Sequence, residues 1–158
     1  MSIIAVIYCS RTGNTQKMAE EVARGAQGAG ATVDLMQVDE ANVEELTKYD
    51  AIIIGSPDYY AGMAAEIKEF LDASVVLHGK LAGKLGGAFS SSANVGGGNE
   101  TTILSILQAF LVHGMAVMGE AIGDHFGPVS VNAPDDRVVH QCRTYGQSIA
   151  RLADKLRG

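Results

Sequence analysis

The chain has no tryptophan, two cysteines and three prolines among its 158 residues. Cys9 and Cys142 stand far apart in sequence with no Cys-x-x-Cys pair. That spacing supplies neither a disulfide framework nor a thiolate zinc site, and free thiols fit a reducing compartment. His78, His113, His125 and His140 lack metal-ligand spacing as well, so no metal is expected. Charge is sparse, at 19% of residues, and the basic side is the poorer one: 12 Lys and Arg against 18 Asp and Glu, a net −6. Nucleic-acid binders carry a basic surplus, which counts against that class. The early apolar run Ile3 to Cys9 falls far short of the roughly 18 residues a membrane span needs. No basic stretch precedes it, so no signal peptide is expected and the protein is read as cytoplasmic.

Apolar material is plentiful: hydrophobic residues make up 47% of the chain and mean hydropathy is +0.12. That is enough for one core, and the length predicts a single domain over residues 1–158. Ile3–Cys9 and Ala51–Gly55 are apolar throughout, as strands buried on both faces are. Thr32–Val38 alternates, Leu85–Ser92 is a strand of small residues around Phe89, and Met115–Gly119 is a short fifth strand. Between them, Asn14–Ala29, Met63–Val76 and Asn99–Gly114 carry helical spacing, with Asn99 as an N-cap and Asn42–Tyr49 as a short helix or turn. A last helix is expected from Pro134, its start favoured by Asp135 and Asp136.

Apolar strands alternating with helices predict a three-layer α/β sandwich, a five-stranded parallel sheet with helices on both faces. Five strands suit the order 2-1-3-4-5, which places a ligand crevice at the carboxyl ends of the strands. Three loops then matter: those after Cys9, after Gly55 and after Ser92. The first, Ser10-Arg11-Thr12-Gly13-Asn14-Thr15, runs into a helix start, where free N–H groups, three hydroxyls and a close-approach glycine suit a terminal phosphomonoester. Helix capping alone is the plainer account of those hydroxyls. No Gly-x-x-x-x-Gly-Lys-Ser/Thr string exists and no Gly-x-Gly-x-x-Gly follows the first strand, so both common nucleotide fingerprints are missing. A receiver domain would need paired acids where Cys9 and Ser10 stand.

Ser-x-Thr-Gly-Asn-Thr after the first strand resembles the FMN phosphate loop of flavodoxins. Gly55 to Met63, Lys68 to Asp72, Gly83 to Ser91, Gly96 to Thr102 and His113-Gly114-Met115 are similar to the WrbA-type NAD(P)H:quinone oxidoreductases of that flavodoxin-like superfamily. The resemblance spans nearly the whole chain. It implies that FMN phosphate binds at Ser10, Arg11, Thr12, Gly13, Asn14 and Thr15, and that a second flavin loop falls on Pro57, Asp58, Tyr59 and Tyr60. It places a third on Ser91, Ser92, Ala93, Asn94, Val95, Gly96 and Gly97, and a catalytic histidine beside the flavin on His113. A tyrosine here offers stacking to the ring, and the small residues after Ser92 let backbone groups approach it. Cys9 is read as core packing; Glu120, Asp124 and His125 are read as solvent-facing, without a role.

The resemblance implies an enzyme in which bound FMN takes a hydride from NAD(P)H and passes two electrons to a quinone or similar small acceptor. No nucleophile or acid–base pair is needed, and none is visible. The alternative is a flavodoxin-type one-electron carrier that docks on a redox protein partner; the acidic balance and short length favour it. A domain that binds partners without flavin is the third possibility. Compared with the reductase branch, the chain lacks a long insertion between the second and third strands and has no tryptophan for an aromatic wall. Members of that branch are often tetramers, which leaves a homo-oligomer, dimer or tetramer, open.

Overall fold

A computed structural model describes residues 1–157. Its elements run β1 (Ile3–Tyr8), α1 (Asn14–Gly28), β2 (Thr32–Gln37), a 3-10 turn (Val43–Lys48), β3 (Ala51–Pro57), α2 (Ala65–Ala73), a second 3-10 turn (Ser74–Leu77), β4 (Leu85–Ser92), α3 (Asn99–Val112), β5 (Ala116–Val117), β6 (Val129–Val131) and α4 (Asp136–Arg157). All strand pairings are parallel, in the order β2-β1-β3-β4-β5. The expected order holds, with one addition. The fifth lane is built from two short pieces: β5 pairs the start of β4 at Leu85 and Gly86, and β6 pairs its end at Ser90 to Ser92. The sheet therefore has six strands in five lanes.

Strand pleating divides the core between two faces. Ile4, Val6 and Tyr8 of β1, with Ala51 and Ile53 of β3, pack against α1 and α4. Ala5 and Ile7, with Ile52 and Ile54, pack against α2 and α3. On the first face α1 and α4 touch backbone to backbone. A Cβ at Gly25 would overlap the Arg143 carbonyl, and one at Gly146 would overlap the Val22 carbonyl. Glu21 braces that crossing, accepting from both Arg24 and Arg143. The Tyr145 hydroxyl, fully buried, accepts the Ala88 N–H at 3.1 Å and so ties α4 to the middle of β4.

Several boundaries shift from expectation: α2 is Ala65–Ala73 rather than Met63–Val76, β5 is Ala116–Val117 rather than Met115–Gly119, β3 runs on to Pro57, and two helix starts move for a local reason. α4 begins at Asp136 rather than Pro134, because the Asp135 carboxylate caps it by accepting the Val138 N–H at 2.9 Å. Asn99 is the first residue of α3 rather than its cap, and its amide donates to Ser92 Oγ at 2.9 Å and to the Ser130 carbonyl at 3.3 Å. That side chain joins the ends of β4 and β6.

Candidate functional site

The register aligns Tyr8 with Gly55 and Pro57 with Ser91, so β1, β3 and β4 finish along one edge and their following loops stand side by side. In the first loop Gly13 takes a left-handed conformation (φ +94°) and its N–H donates to Ser10 Oγ at 3.1 Å. This turn swings the chain into α1 with no side chain capping the helix and no acid in its first turn. The opening amides of α1 therefore face outward with the positive end of the helix dipole behind them. A Cβ built at Gly13 would meet nothing within 4 Å, so the approach is open. Thr12 is exposed at the lip, while Thr15 is buried with its hydroxyl 2.8 Å from Ser91 Oγ. That bond couples the first loop to the third.

Arg11 links the first loop to the second. Its guanidinium lies 4.7 Å from the centre of the Tyr59 ring, a cation–π distance, and donates to Glu66 at 2.9 and 3.3 Å. The bond to Glu66 raises the guanidinium pKa further. The Glu66 carboxyl is held below its ordinary value by its own backbone N–H at the start of α2 and then by Arg11. Beyond Tyr59 the chain makes a tight hairpin: Tyr59 N–H donates to the Gly62 carbonyl at 3.0 Å and Gly62 N–H returns to Tyr59 at 3.2 Å. Its two central residues, Tyr60 (φ +53°) and Ala61 (φ +61°), are both left-handed, a conformation that favours glycine or asparagine. Backbone held this way tends to mark functional loops. Here it leaves the Tyr60 side chain fully exposed beside the strand tips.

The third loop is fastened under the second. The Asp58 N–H donates to the Ser91 carbonyl at 2.7 Å, and Thr102 Oγ1 donates to Asp58 Oδ1 at 3.3 Å. Gly98 (φ +117°) lies so close to the hairpin that a Cβ there would stand 2.6 Å from Ala61 Cα. Between these anchors the loop arches outward, held by Ser92 Oγ and the Gly97 N–H, which donate to the Asn94 carbonyl at 3.0 and 3.1 Å. Val95 projects into solvent.

The structure thus brings Ser10, Arg11, Thr12, Gly13, Asn14 and Thr15 together with Pro57, Asp58, Tyr59 and Tyr60 and with Ser91 to Gly97. His113 is the exception. It follows α3, which starts at the strand tips and runs 14 residues away from them, about 21 Å at the helical rise. His113 is 8% exposed at the opposite end of the sheet, its Nε2 donating to Ser74 Oγ at 2.7 Å, since the Ser74 hydroxyl proton is committed to the Leu71 carbonyl. Burial, then the nearby His78, lower its pKa. Within this chain His113 secures α3 to the turn after α2 and does not face the crevice. Asp124 corrects a second expectation: its mostly buried carboxylate accepts from the Val129 N–H at 2.9 Å and from Arg137 at 3.0 Å, holding β6 in place. Cys9 is buried as expected, and burial, with Glu66 adding to it, keeps its thiol protonated.

Three residues that fasten the loops were given no individual site role from the sequence: Gly98, Thr102 and Glu66. Gly98 closes a glycine run that already pointed to close approach. The other two look like ordinary helix residues until the fold pairs them with Asp58 and Arg11.

Residues 5–101 match the flavodoxin domain family, and the chain belongs to it. It is similar to a protein named NAD(P)H dehydrogenase (quinone) in Archaeoglobus fulgidus, 33% identical over 190 aligned positions that cover 99% of this chain and 100% of the relative. A protein of the same name from Sinorhizobium fredii is 34% identical over 197 positions, covering 99% of each. Both alignments run longer than this chain, so these relatives carry segments that it lacks. Among solved structures, a flavodoxin, WrbA-like protein from Agrobacterium tumefaciens superposes with a TM-score of 0.85 at 29% identity, over 98% of this chain and 99% of that one. A flavodoxin from the domain Archaea gives 0.82 at 26% identity, over 96% and 99%.

Proposed function

We propose that this flavodoxin-family protein is an FMN-dependent NAD(P)H:quinone oxidoreductase. The observation that carries the reading is the α1 start: an uncapped, acid-free helix N-terminus behind a left-handed Gly13, with Ser10 and Thr12 hydroxyls beside it. This is chemistry for a phosphate monoester. The strand-tip edge flanked by the Tyr59–Gly62 hairpin and the Ala93–Gly98 loop would take a planar ring, with Tyr59 or Tyr60 for stacking and backbone groups of the third loop for its polar edge. Bound there, FMN would supply hydride acceptance from a nicotinamide and two-electron delivery to a quinone.

The chain's own part is positioning. The α1 amides and Thr12 would hold the phosphate. The Thr15–Ser91 and Asp58–Ser91 bonds fix the spacing between loops, so that the ring's two supports do not drift apart. The reading requires no acid–base residue at the crevice, and Cys9 stays a protonated thiol below it. The names carried by full-length relatives support a nicotinamide donor and a quinone acceptor. Leu111 and Val112 stand exposed on α3, and a homo-oligomer would cover them. Among the described residues no helix is long and apolar enough to cross a membrane.

The test is anaerobic. FMN-loaded protein is expected to bleach within seconds of adding NADH or NADPH and to recolour on adding benzoquinone. Protein that holds FMN yet ignores both nucleotides is a one-electron carrier instead, and protein that takes up no FMN removes the redox reading altogether.

A further inference from the structure

A hollow of about 390 Å³ opens beside the phosphate loop on the α2 side of the sheet. Val38, Phe70 and Ala73 give it apolar walls, Gln37 a neutral amide, and Asp39, Glu66 and Glu69 three carboxylates. Arg11 stands at its edge. Its guanidinium reaches Glu66 in the hollow and the Tyr59 ring at the crevice, so one cation faces both spaces. The size is within the range of small-ligand sites, about 300–1,000 Å³.

We infer that this hollow seats the adenosine end of the nicotinamide dinucleotide and makes the protein selective for NADH over NADPH. The inference rests on the nicotinamide-oxidising reading above and names which nucleotide the site takes. The chemistry follows the order of groups in the dinucleotide. Apolar walls suit the adenine plane, and carboxylates accept hydrogen bonds from a ribose diol, as acids beyond a second strand do in related doubly wound sheets. Arg11, on the path to the crevice, suits the diphosphate. A 2′-phosphate reverses the match. It would enter a space with three carboxylates and a single cation already paired to one of them. Like charges brought together at a binding surface suppress the wrong partner. Asp39 and Glu69, the two carboxylates not bonded to Arg11, are the selectivity determinants.

The test uses FMN-loaded, oxidised protein with 5′-AMP and 2′,5′-ADP as probes, followed by amide chemical shifts and calorimetry. Expected are shifts for 5′-AMP centred on Val38, Asp39 and Phe70, with 2′,5′-ADP binding at least about tenfold more weakly. The double variant Asp39→Ser, Glu69→Lys is expected to reverse that order, and the NADH to NADPH ratio of kcat/KM is expected to fall at least about tenfold in parallel. Glu69→Gln alone, which keeps the side-chain shape, is expected to move the ratio in the same direction by a smaller factor. Equal or tighter binding of 2′,5′-ADP to the unaltered protein overturns the inference, as do shifts for 5′-AMP that avoid the hollow or a double variant with an unchanged probe ratio. Protein that seats 5′-AMP in the hollow but oxidises neither nucleotide refutes the reductase reading and leaves the adenosine assignment standing.

Discussion

Replacing Gly98 by alanine tests how the second and third loops are held together. The new Cβ would stand 2.6 Å from Ala61 Cα and 2.8 Å from Ala61 Cβ, with Asp58 Oδ1 at 3.1 Å. Neither Ala61 atom is the far end of a flexible side chain, and Ala61 is already left-handed at φ +61°, so the hairpin has little room to yield. Two costs add. A side chain in left-handed backbone costs about 1–2 kcal/mol, and overpacking a tight contact costs about 1–3 kcal/mol. The expected loss is about 2–5 kcal/mol. At roughly 2–4 °C per kcal/mol for a chain of this size, the melting temperature falls by about 4–20 °C. Gly96→Ala is the matched control, because Gly96 is also left-handed (φ +68°) but a Cβ there would meet nothing within 4 Å; it incurs only the first cost. Thermal melts and flavin-fluorescence titrations of both variants give the readout. Gly98→Ala is expected to melt lower than Gly96→Ala and to bind FMN at least about tenfold more weakly than it, a factor that corresponds to about 1.4 kcal/mol. Equal melting and equal FMN affinity in the two variants would refute the idea that the Gly98–Ala61 contact fastens the third loop to the second.

Other residues give sharp tests. Thr12→Glu adds an exposed carboxylate at the phosphate loop; against a dianion about 5 Å away the repulsion is about 2–3 kcal/mol at an effective dielectric of about 40–80, so FMN affinity should fall roughly 30- to 200-fold and recover partly in salt, whereas Thr12→Val should cost only about tenfold. Tyr145→Phe strands the buried Ala88 N–H and should cost about 1–3 kcal/mol in urea unfolding, with an unchanged urea midpoint as the contrary result. His113 has a folded pKa below its unfolded value, so the unfolded state binds the extra proton. Its contribution is complete above the unfolded pKa of about 6.5 and is lost as pH falls from there towards the folded value. The drop in melting temperature between pH 7.5 and 5.5 should shrink in His113→Gln, while FMN affinity at pH 7.5 stays within about twofold of the unaltered protein; an unchanged pH slope would contradict this.

The strand order was legible because Ile3–Cys9 and Ala51–Gly55 carry apolar residues on both faces of the pleat, which only a covered parallel sheet explains. β6 was not legible. Three residues, Val129–Val131, show no period, and its place is set by Asp124 and Arg137 acting across a loop. The hairpin at Tyr59–Gly62 was hidden for a related reason: its left-handed positions hold Tyr60 and Ala61 rather than the glycine or asparagine that announce such turns. The end of the sheet that His113 occupies was not legible, because resemblance carries a position along the chain and not an edge of the sheet. In a doubly wound fold the ligand edge is where helices begin, and a residue that ends a 14-residue helix stands at the other edge.

The most direct measurement is titration of flavin-free protein with FMN, followed by the phosphorus resonance of the ligand and the backbone amides of the chain. A phosphate held at the α1 start predicts one FMN per chain, a dianionic phosphate shifted on binding, and the largest amide changes at Asn14, Thr15 and Gln16. Riboflavin, which lacks the phosphate, should bind at least about a hundredfold more weakly, equivalent to about 2.7 kcal/mol. Equal affinity for riboflavin and FMN, or amide changes that bypass the start of α1, would contradict it.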